Sequence, residues 1–338
     1  MSEINSLIPA GKQDAVRKAL QTAFQTTSVD SISVLKGGLS NAQVYKLVVG
    51  GKAYVLRIVM RVEAFNDPVR QYLCMNRAAD AGIAPQVYYA SAEDALSITA
   101  FVEAQPLPPG ETLITPLAEM IKAIHATPSF PPLINFLDGV DLFIGNYRAA
   151  NLLPESATEE HFRYYAQIQQ AYPRHDPDLV SSHNDLNRGN LIYDGRKLWV
   201  IDWEAAFLND RYVDLAIVGK AFAPDAAREE AFLRAYFGEA LDDTRRARYF
   251  LMVQITHFYY GLILLNMVAG AARAGGFAAD PGMETPSMGA FHRQIGTGTI
   301  SLQTLDNQLL YGKVMLNEAL QNMKTARFGE SLGAMAEG

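Results

Sequence analysis

Two neighbouring stretches decide the fold: SHNDLNRGNLIY at residues 182–193 and LWVIDWE at residues 198–204. Between them stands Asp194-Gly195, a pair that is typical of a tight hairpin turn. The turn predicts that two short strands, within residues 190–202, fold back on each other. Their ends then meet, and the pattern predicts that Asp185, Asn190 and Asp202 converge there.

The three converging side chains are those that a phosphoryl-transfer site needs. Carboxylate and amide oxygens, as on Asp202 and Asn190, suit Mg²⁺, which prefers oxygen ligands and keeps room for substrate phosphates. A further carboxylate, Asp185, can accept a proton from an attacking hydroxyl. The alternative is a structural hairpin flanked by capping Asp and Asn residues. The order and spacing of the three residues together favour the catalytic interpretation.

The spacing of Asp185 and Asn190 matches the protein-kinase catalytic loop, D-x-x-x-x-N. With His183-Asn184-Asp185 and Ile201-Asp202-Trp203-Glu204, the segment resembles the aminoglycoside phosphotransferase and choline/ethanolamine kinase superfamily. Asn at position 184 looks more like the choline/ethanolamine kinases than the aminoglycoside enzymes, which usually carry Gly there. The resemblance implies an α+β, two-lobed protein-kinase-like fold, with a small antiparallel sheet in the N-terminal lobe and a mostly helical C-terminal lobe. It also implies ATP and Mg²⁺ as cofactors.

The resemblance assigns supporting roles to residues around this loop. The segment NDRYVDLA at residues 209–216 is similar to the bacterial choline-kinase-like pattern, in which Asp214 braces the catalytic loop. It also makes His183 a structural residue that hydrogen-bonds the loop, and not the base. His125, in a helix-end motif of the superfamily, is expected to be structural as well.

The first hundred residues read as the nucleotide-binding lobe. Strands rich in Val, Ile, Leu and Tyr are predicted at 31–36, 42–49 and 53–59, and Gly50-Gly51 forms a hairpin turn. The loop between the first two strands resembles the choline-kinase nucleotide loop, and glycines there let backbone N–H groups approach phosphates. The predicted nucleotide-binding residues are Gly37, Gly38, Leu39, Ser40, Asn41, Arg57, Phe101 and Val102.

Arg57 stands where kinases hold a phosphate-binding lysine, and its guanidinium suits bidentate phosphate contacts. A surface arginine at a strand edge is the alternative. The acidic partner expected on the following helix is not evident, because Gln71 occupies that place and Glu63 comes too early. The resemblance makes Phe101 and Val102 the hinge whose backbone meets adenine.

The acceptor is predicted to be a small cationic alcohol, such as choline or ethanolamine. Glu204 and Tyr260 are the predicted acceptor-binding residues, because Tyr260 matches one aromatic residue of the choline box and clustered carboxylates favour a cation. Ile263 stands where a second box aromatic is expected. The alternatives are an aminoglycoside-type or other small-molecule kinase, a nucleotide-binding protein without transfer activity and, third, a protein kinase.

The domain organisation follows from the change of pattern along the chain. A Pro-rich linker at 103–110 predicts an N-terminal lobe over residues 1–102 and a catalytic, acceptor-binding lobe over 103–338. Residues 270–299 are rich in Gly, Ala, Pro and Ser, which predicts a long loop. Further helices are predicted at about 68–81, from 115, and at 159–171, 225–237, 244–269 and 302–325.

Composition narrows the classes of function. The 338 residues carry 29 Lys and Arg against 36 Asp and Glu, so the net charge of −7 argues against nucleic acid as a partner. A single cysteine and no evident signal peptide favour the cytoplasm. The apolar stretch 249–269 contains Gln254, His257 and Asn266, which favours a buried helix over a membrane span.

Overall fold

The protein is described from a computed structural model that covers residues 6–35, 42–62, 66–174, 179–275 and 277–337. The chain forms two compact units, each built from several segments. Unit 1 contains residues 1–133, 179–214 and 221–236, and unit 2 contains 134–178, 215–220 and 237–338. The lobe boundary between residues 102 and 103 stays a prediction.

Unit 1 contains a five-stranded antiparallel sheet with the strand order β1-β2-β3-β5-β4. The turn between β2 and β3 uses Gly50 and Gly51 at φ 57° and 74°, a region that glycine enters without steric cost. The strands are β1 Ser31–Val34, β2 Ala42–Val49, β3 Lys52–Val59, β4 Val87–Ser91 and β5 Leu96–Ala100.

Two helices accompany this sheet. Helix α1, Gln13–Phe24, contributes Val16 and Leu20 to the same buried cluster as Leu47 and Leu56. Helix α2, Pro68–Asp80, begins as predicted, because Asp67 accepts a hydrogen bond from Val69 N and proline fixes the first helical position.

The rest of unit 1 holds the predicted hairpin and a second short ladder. Strand β6 pairs antiparallel with β9, and β7 pairs antiparallel with β8. The residues that the sequence singles out lie mostly between these strands. The elements are α3 Gly110–His125, β6 Leu179–Ser182, β7 Leu191–Tyr193, β8 Leu198–Val200, β9 Phe207–Asp210 and α7 Ala226–Phe237, whose last residue falls in unit 2.

Unit 2 is helical in its described part. Two of its helices pack closely where Gly261 meets Gly312, since a Cβ on Gly312 would lie 2.8 Å from the side chain of Leu265. The helices are α4 Phe136–Ala150, α5 Glu155–Ala171, α8 Asp243–Arg273, α9 Met288–Gly296, α10 Leu305–Met323 and α11 Ala326–Glu337. Helix α6, Arg211–Phe222, contributes residues 215–220 to this unit. The five-stranded antiparallel sheet and the mostly helical remainder confirm the α+β class.

Helix α8 is the one helix in the described ranges that is long and apolar enough to cross a membrane. Its most apolar window is 67% buried inside the protein, and its buried face includes Gln254, Thr256 and His257. A core helix passes the same length and composition test, and the burial supports the expected core helix.

The prediction of a continuous loop over 270–299 is wrong. Helix α8 continues to Arg273, and helix α9 forms within the stretch because Ser287 caps it and Phe291 packs its ring on Tyr311 at 4.8 Å. Lys313 also donates to the carbonyl oxygens of Asp280 and Gly282. These contacts come from distant parts of the chain and order a stretch of weak helix propensity.

Candidate active site

The hairpin that the sequence predicts is formed by β7 and β8. Leu191 pairs with Val200 and Tyr193 with Leu198. Its turn is held by Asp194, whose carboxylate accepts hydrogen bonds from Trp199 Nε1 at 2.8 Å and from the backbone N–H groups of Arg196 and Lys197. The indole and backbone donors lower the pKa of Asp194 to about 2.

Asp185 and Asn190 are in direct contact. The Asn190 amide donates to the Asp185 carboxylate at 3.0 Å and to the Asp185 backbone carbonyl at 2.8 Å. Both donor contacts use the amide nitrogen of Asn190, which leaves the amide oxygen as the atom suited to a cation. The backbone N–H of Ile201 donates to the carbonyl of Asn190 at 3.0 Å, so Asp202 is the residue that follows a direct bond to the pair.

Asp214 lies against the backbone of the loop that carries Asp185. Its two carboxylate oxygens accept the N–H of His183 at 2.9 Å and the N–H of Asn184 at 2.7 Å, and it is fully buried. His125 contacts the same carboxylate at 3.2 Å and reaches Tyr236 with its other nitrogen. Charge-assisted bonds of this kind fix the loop more strongly than neutral ones.

His183 bridges the two ends of the site without reaching a nucleophile. Its Nε2 lies 3.0 Å from the carbonyl of Ile201, and its Nδ1 accepts the N–H of Asp185 at 3.3 Å. The ring is fully buried and meets Trp203 edge-on at 4.7 Å. Both ring nitrogens are used on backbone groups, which is the arrangement of a structural histidine.

Sequence reasoning missed the part that Asn184 and Asn209 play. Asn184 adopts φ 65°, a left-handed conformation that asparagine tolerates better than most residues. Its side chain donates to the carbonyl of Ala205 at 3.0 Å and accepts from Asn209 Nδ2 at 2.7 Å. The signal available in the sequence was the position of Asn209 in the NDRYVDLA motif, where only Asp214 was assigned a role.

Arg57 pairs with two carboxylates of the segment that follows β8. Its Nη2 lies 3.2 Å from Asp202 and 2.5 Å from Glu204. Gln71, at the place expected for an acidic partner, is buried, and its amide oxygen has no partner in the described ranges. The ion pair of Arg57 is therefore built from the carboxylates after β8.

The Arg57 guanidinium is buried on one side and still has bonding capacity. Its Nη1 is buried and has no hydrogen-bond partner in the described part of the chain. The arginine side chain is 13% exposed. A buried donor without an acceptor is costly, and a phosphate oxygen would satisfy it.

The charge around Asp202 fits a divalent cation. Burial and the neighbouring Asp202 raise the pKa of Glu204, and Arg57 only partly offsets this. Asp202, Glu204 and Arg57 together carry one net negative charge, which Arg70 near Glu204 partly offsets. The oxygens of Asn190 and Asp202 together with this charge match what Mg²⁺ requires. The described residues contain no group of three or more His, Cys, Asp or Glu side chains placed to hold a metal, so phosphates and water would complete its coordination.

Asp202 has a strained backbone. It adopts φ 63° and ψ 65°, a left-handed conformation that a non-glycine residue enters at a cost of about 1–3 kcal/mol. The short turn Trp203–Ala205 follows immediately, and Trp203 Nε1 donates to the carbonyl of Val200. Strain of this kind is characteristic of functional sites, where the surroundings hold it in place.

Helix α2 also hydrogen-bonds the segment after Asp202, a contact that sequence reasoning did not predict. The buried Arg70 donates to the carbonyl of Ala206 at 2.7 Å, and Cys74 Sγ lies 3.6 Å from the same oxygen. These contacts fix α2 to the residue directly before β9. Arg70 and Ala206 are 136 positions apart, so no local pattern marks the contact.

The nucleotide-binding residues predicted in the glycine loop, Gly37, Gly38, Leu39, Ser40 and Asn41, lie outside the described residues. The predicted hinge follows β5. Phe101 N donates to the carbonyl of Ala53 at 3.3 Å, and Lys46 Nζ lies 4.0 Å from the centre of the Phe101 ring.

Val102 is partly exposed, and its backbone makes no hydrogen bond within the described ranges. Such a peptide group can accept the edge of a base. Glu204, predicted to bind the acceptor, is engaged with Arg57. Tyr260 lies on α8 in unit 2, where it contacts Tyr259 edge-on at 5.2 Å.

The sequence model of the phosphotransferase enzyme family (APH) matches residues 31–250, about two thirds of the chain. No curated protein matches the sequence significantly.

Three solved structures are similar in fold. A choline/ethanolamine kinase family protein from Mesorhizobium loti is 18% identical, with a TM-score of 0.70 over 97% of this chain and 100% of that one. The choline kinase LicA from Streptococcus pneumoniae is 17% identical, with a TM-score of 0.58 over 86% and 100%. A spectinomycin phosphotransferase in complex with ADP and spectinomycin is 15% identical, with a TM-score of 0.54 over 77% and 91%.

These findings confirm the resemblance drawn from the hairpin, and the kinase-like fold with it. The family match spans both the sheet of unit 1 and the segment that holds Asp185, Asn190 and Asp202. The family match and the similar structures also confirm the expectation that the chain is an enzyme, a small-molecule kinase. The chain belongs to the phosphotransferase enzyme family.

Proposed function

We propose that the protein transfers the γ-phosphate of ATP, with Mg²⁺, to a hydroxyl group of a small molecule in the cytoplasm. The observation that carries this proposal is the pair of Asp185 and Asn190, joined by a 3.0 Å hydrogen bond on a loop that Asp214 braces. A braced carboxylate beside a cation-binding amide is what an in-line phosphoryl transfer needs.

Asp185 orients the acceptor hydroxyl and takes its proton as the oxygen attacks phosphorus. Its contact with Asn190 limits rotation of the carboxylate, so it is positioned before the acceptor binds. The carboxylate is half-buried, which leaves it within reach of a ligand.

Arg57 contributes its buried Nη1 to the phosphates of the nucleotide. Asn190 and Asp202 would hold Mg²⁺, which would neutralise the phosphate charge that develops during transfer. The Val102 backbone meets the adenine edge. The spectinomycin phosphotransferase, whose structure contains both ADP and its acceptor, supports the pairing of a nucleotide with a small molecule on this fold.

The test is ADP release in the presence and absence of Mg²⁺, over a panel of choline, ethanolamine, other amino alcohols, aminoglycosides and simple sugars. Asp185→Asn keeps the size of the side chain and removes the base. We expect it to lower turnover by about 10²–10⁴-fold, because general-base assistance contributes that much, and to change ATP affinity less than threefold.

The control is Asp194→Asn, a carboxylate in the same hairpin that bonds only its own turn. It is expected to keep wild-type turnover. An Asp185→Asn protein that keeps more than a tenth of the activity would overturn the role of Asp185. ATP binding without ADP release on any acceptor would favour a nucleotide-binding protein without transfer activity.

A further inference from the structure

Lys220, near the end of α6 in unit 2, has a side-chain amine that no carboxylate in the described ranges balances. Its Nζ lies 5.1 Å from the centre of the Tyr260 ring on α8. Within the described ranges it has no hydrogen bond and no carboxylate partner. Burial lowers the pKa of this lysine to about 7, with no acidic group opposing the shift. The side chain is nevertheless partly exposed, so a ligand can reach it.

His257, one turn before Tyr260 on α8, is the second group with unused bonding capacity. It is only 5% exposed, and its Nδ1 has no hydrogen-bond partner in the described part of the chain. Burial, Lys220 and His292 together hold the pKa of His257 well below its usual value. A buried polar atom without a partner is costly unless a ligand satisfies it.

Among the described residues, the ionisable groups that contact Lys220 or act on the charge of His257 are basic or neutral. Besides the pair itself they are Tyr260 on α8, which lies under Lys220, and His292 on α9, whose ring lies 2.9 Å from the Tyr311 hydroxyl. A structural role would be served equally well by an apolar side chain at position 220, without the cost of burying an ammonium group. In a protein with a net charge of −7, a basic cluster without a carboxylate is typical of an anion site.

The same geometry bears on the aromatic face of Tyr260. An ammonium group of the protein itself lies over that ring, so a quaternary ammonium ligand would meet a like charge there. We propose that Lys220 and His257 bind an anionic group, a carboxylate or a phosphate monoester, of the acceptor molecule. The identification of the ligand as the acceptor rests on the proposed function, whereas the anion site rests on unit 2 alone.

The first measurement does not require turnover. In protein labelled with ¹³C-lysine and ¹³C-histidine, NMR follows the titration of Lys220 and His257 while acetate or inorganic phosphate is added. A ligand that binds protonated Lys220 tenfold better raises its pKa by one unit. We expect an upward shift of about that size, together with a change in the His257 signal. The absence of a shift with both anions would overturn the site.

Lys220→Met keeps the length of the side chain and removes its charge. We expect it to weaken acetate and phosphate binding, read at His257, by at least tenfold. The matched control is Lys197→Met, which removes another lysine that lies over an aromatic ring, 3.6 Å from the centre of the Trp199 ring in unit 1. It should leave binding at His257 unchanged, and an equal loss in both variants would overturn the assignment to Lys220.

The second measurement uses acceptors that differ by one charged group: glycerol, glycerate and glycerol 3-phosphate, and ethanolamine and serine. We expect ADP release to favour the charged member of a pair by at least tenfold in kcat/KM, and Lys220→Met to remove that preference. Comparing glycerate with glycerol 3-phosphate shows whether the anionic group that binds is a carboxylate or a phosphate monoester. Transfer to the uncharged members alone, unaffected by Lys220→Met, would overturn the inference and leave the proposed function intact. Anion binding without transfer to any acceptor would overturn the proposed function and leave the anion site intact.

Discussion

Replacing Asp214 with asparagine tests whether this carboxylate holds the catalytic loop in place. In the wild type, its two oxygens accept the N–H groups of His183 and Asn184 at 2.9 and 2.7 Å, in a fully buried position. Asparagine has one oxygen, so one N–H loses its acceptor and faces an amide donor. Losing a hydrogen bond to a charged group costs about 1.5–3 kcal/mol, and the bond that remains becomes neutral and weaker by about 1 kcal/mol. We expect Asp214→Asn to lower the free energy of unfolding by about 3 kcal/mol.

The assay is urea unfolding followed by tryptophan fluorescence. Both tryptophans of the chain, Trp199 and Trp203, lie in unit 1 next to the loop, so the signal reports on the part that changes. The same variant should lower kcat by about 100-fold, the size of effect that a misplacement of about 1 Å produces, while ATP affinity stays within threefold.

Asp194→Asn is the matched control for this stability measurement. Its carboxylate also accepts two backbone N–H groups, but in an exposed turn where water replaces them. At neutral pH it should lose less of the free energy of unfolding than Asp214→Asn does, because its turn is open to water. An Asp214→Asn protein that loses less than 1 kcal/mol and keeps its kcat would refute the bracing role.

Three further predictions follow from the charges and burial. Burial raises the pKa of Cys74 to about 12, so about one thiol in ten thousand is ionised at pH 8; iodoacetamide should label it only in urea, as mass spectrometry can check. The pKa of Asp194 is lowered to about 2, so its hydrogen bonds stabilise the fold above the ordinary pKa near 3.8 and are lost as the pH falls towards 2. The NMR resonance of the Trp199 indole N–H, which bonds Asp194, should therefore shift between pH 3.8 and 2. A resonance that stays constant down to pH 2 would contradict this prediction. Arg57→Met should weaken ATP binding and tighten Mn²⁺ binding in the absence of nucleotide, measured by electron paramagnetic resonance, because the guanidinium no longer competes for Asp202; equal loss of both would count against the pairing.

The sequence predicted most of unit 1 because its signals are local. Alternation of apolar residues, the turns at Gly50-Gly51 and Asp194-Gly195, and the cap at Asp67 each act over a few residues. These signals determined the strand register and brought Asp185 and Asn190 together, five positions apart.

Helix α4 was missed for a physical reason that is visible in its sequence. Gly139 and Gly145 lower its helix propensity by about 1 kcal/mol each. Packing within unit 2 offsets this, because Phe136 meets Tyr259 at 4.8 Å and Asn266 on α8 donates to the carbonyl of Phe143. Those partners lie more than a hundred residues away, so the segment reads as weak when it is taken alone.

The ion pair of Arg57 shows the same limit within the site. Counting along the kinase-like pattern placed its acidic partner on α2, yet Glu204, 147 positions away, takes that role. Gln71 on α2 is buried, and its amide oxygen has no partner in the described ranges. No spacing rule predicts such a contact, because it exists only after β8 has been brought back towards β3.

If the site binds a nucleotide as proposed, this exchange of partners determines the state of the site before the nucleotide arrives. One guanidinium shared by two carboxylates keeps Asp202 and Glu204 close together, although the proximity of the two charges and burial raise the pKa of Glu204. Without Arg57 the two carboxylates would repel each other, since Arg57 is the cation that bonds both of them. A magnesium–nucleotide complex offers a cation to the carboxylates and phosphate oxygens to the guanidinium at once. On the proposed function, Arg57 pairs with Asp202 and Glu204 in the unliganded site and moves to the phosphates when they bind, which frees Asp202 for the cation.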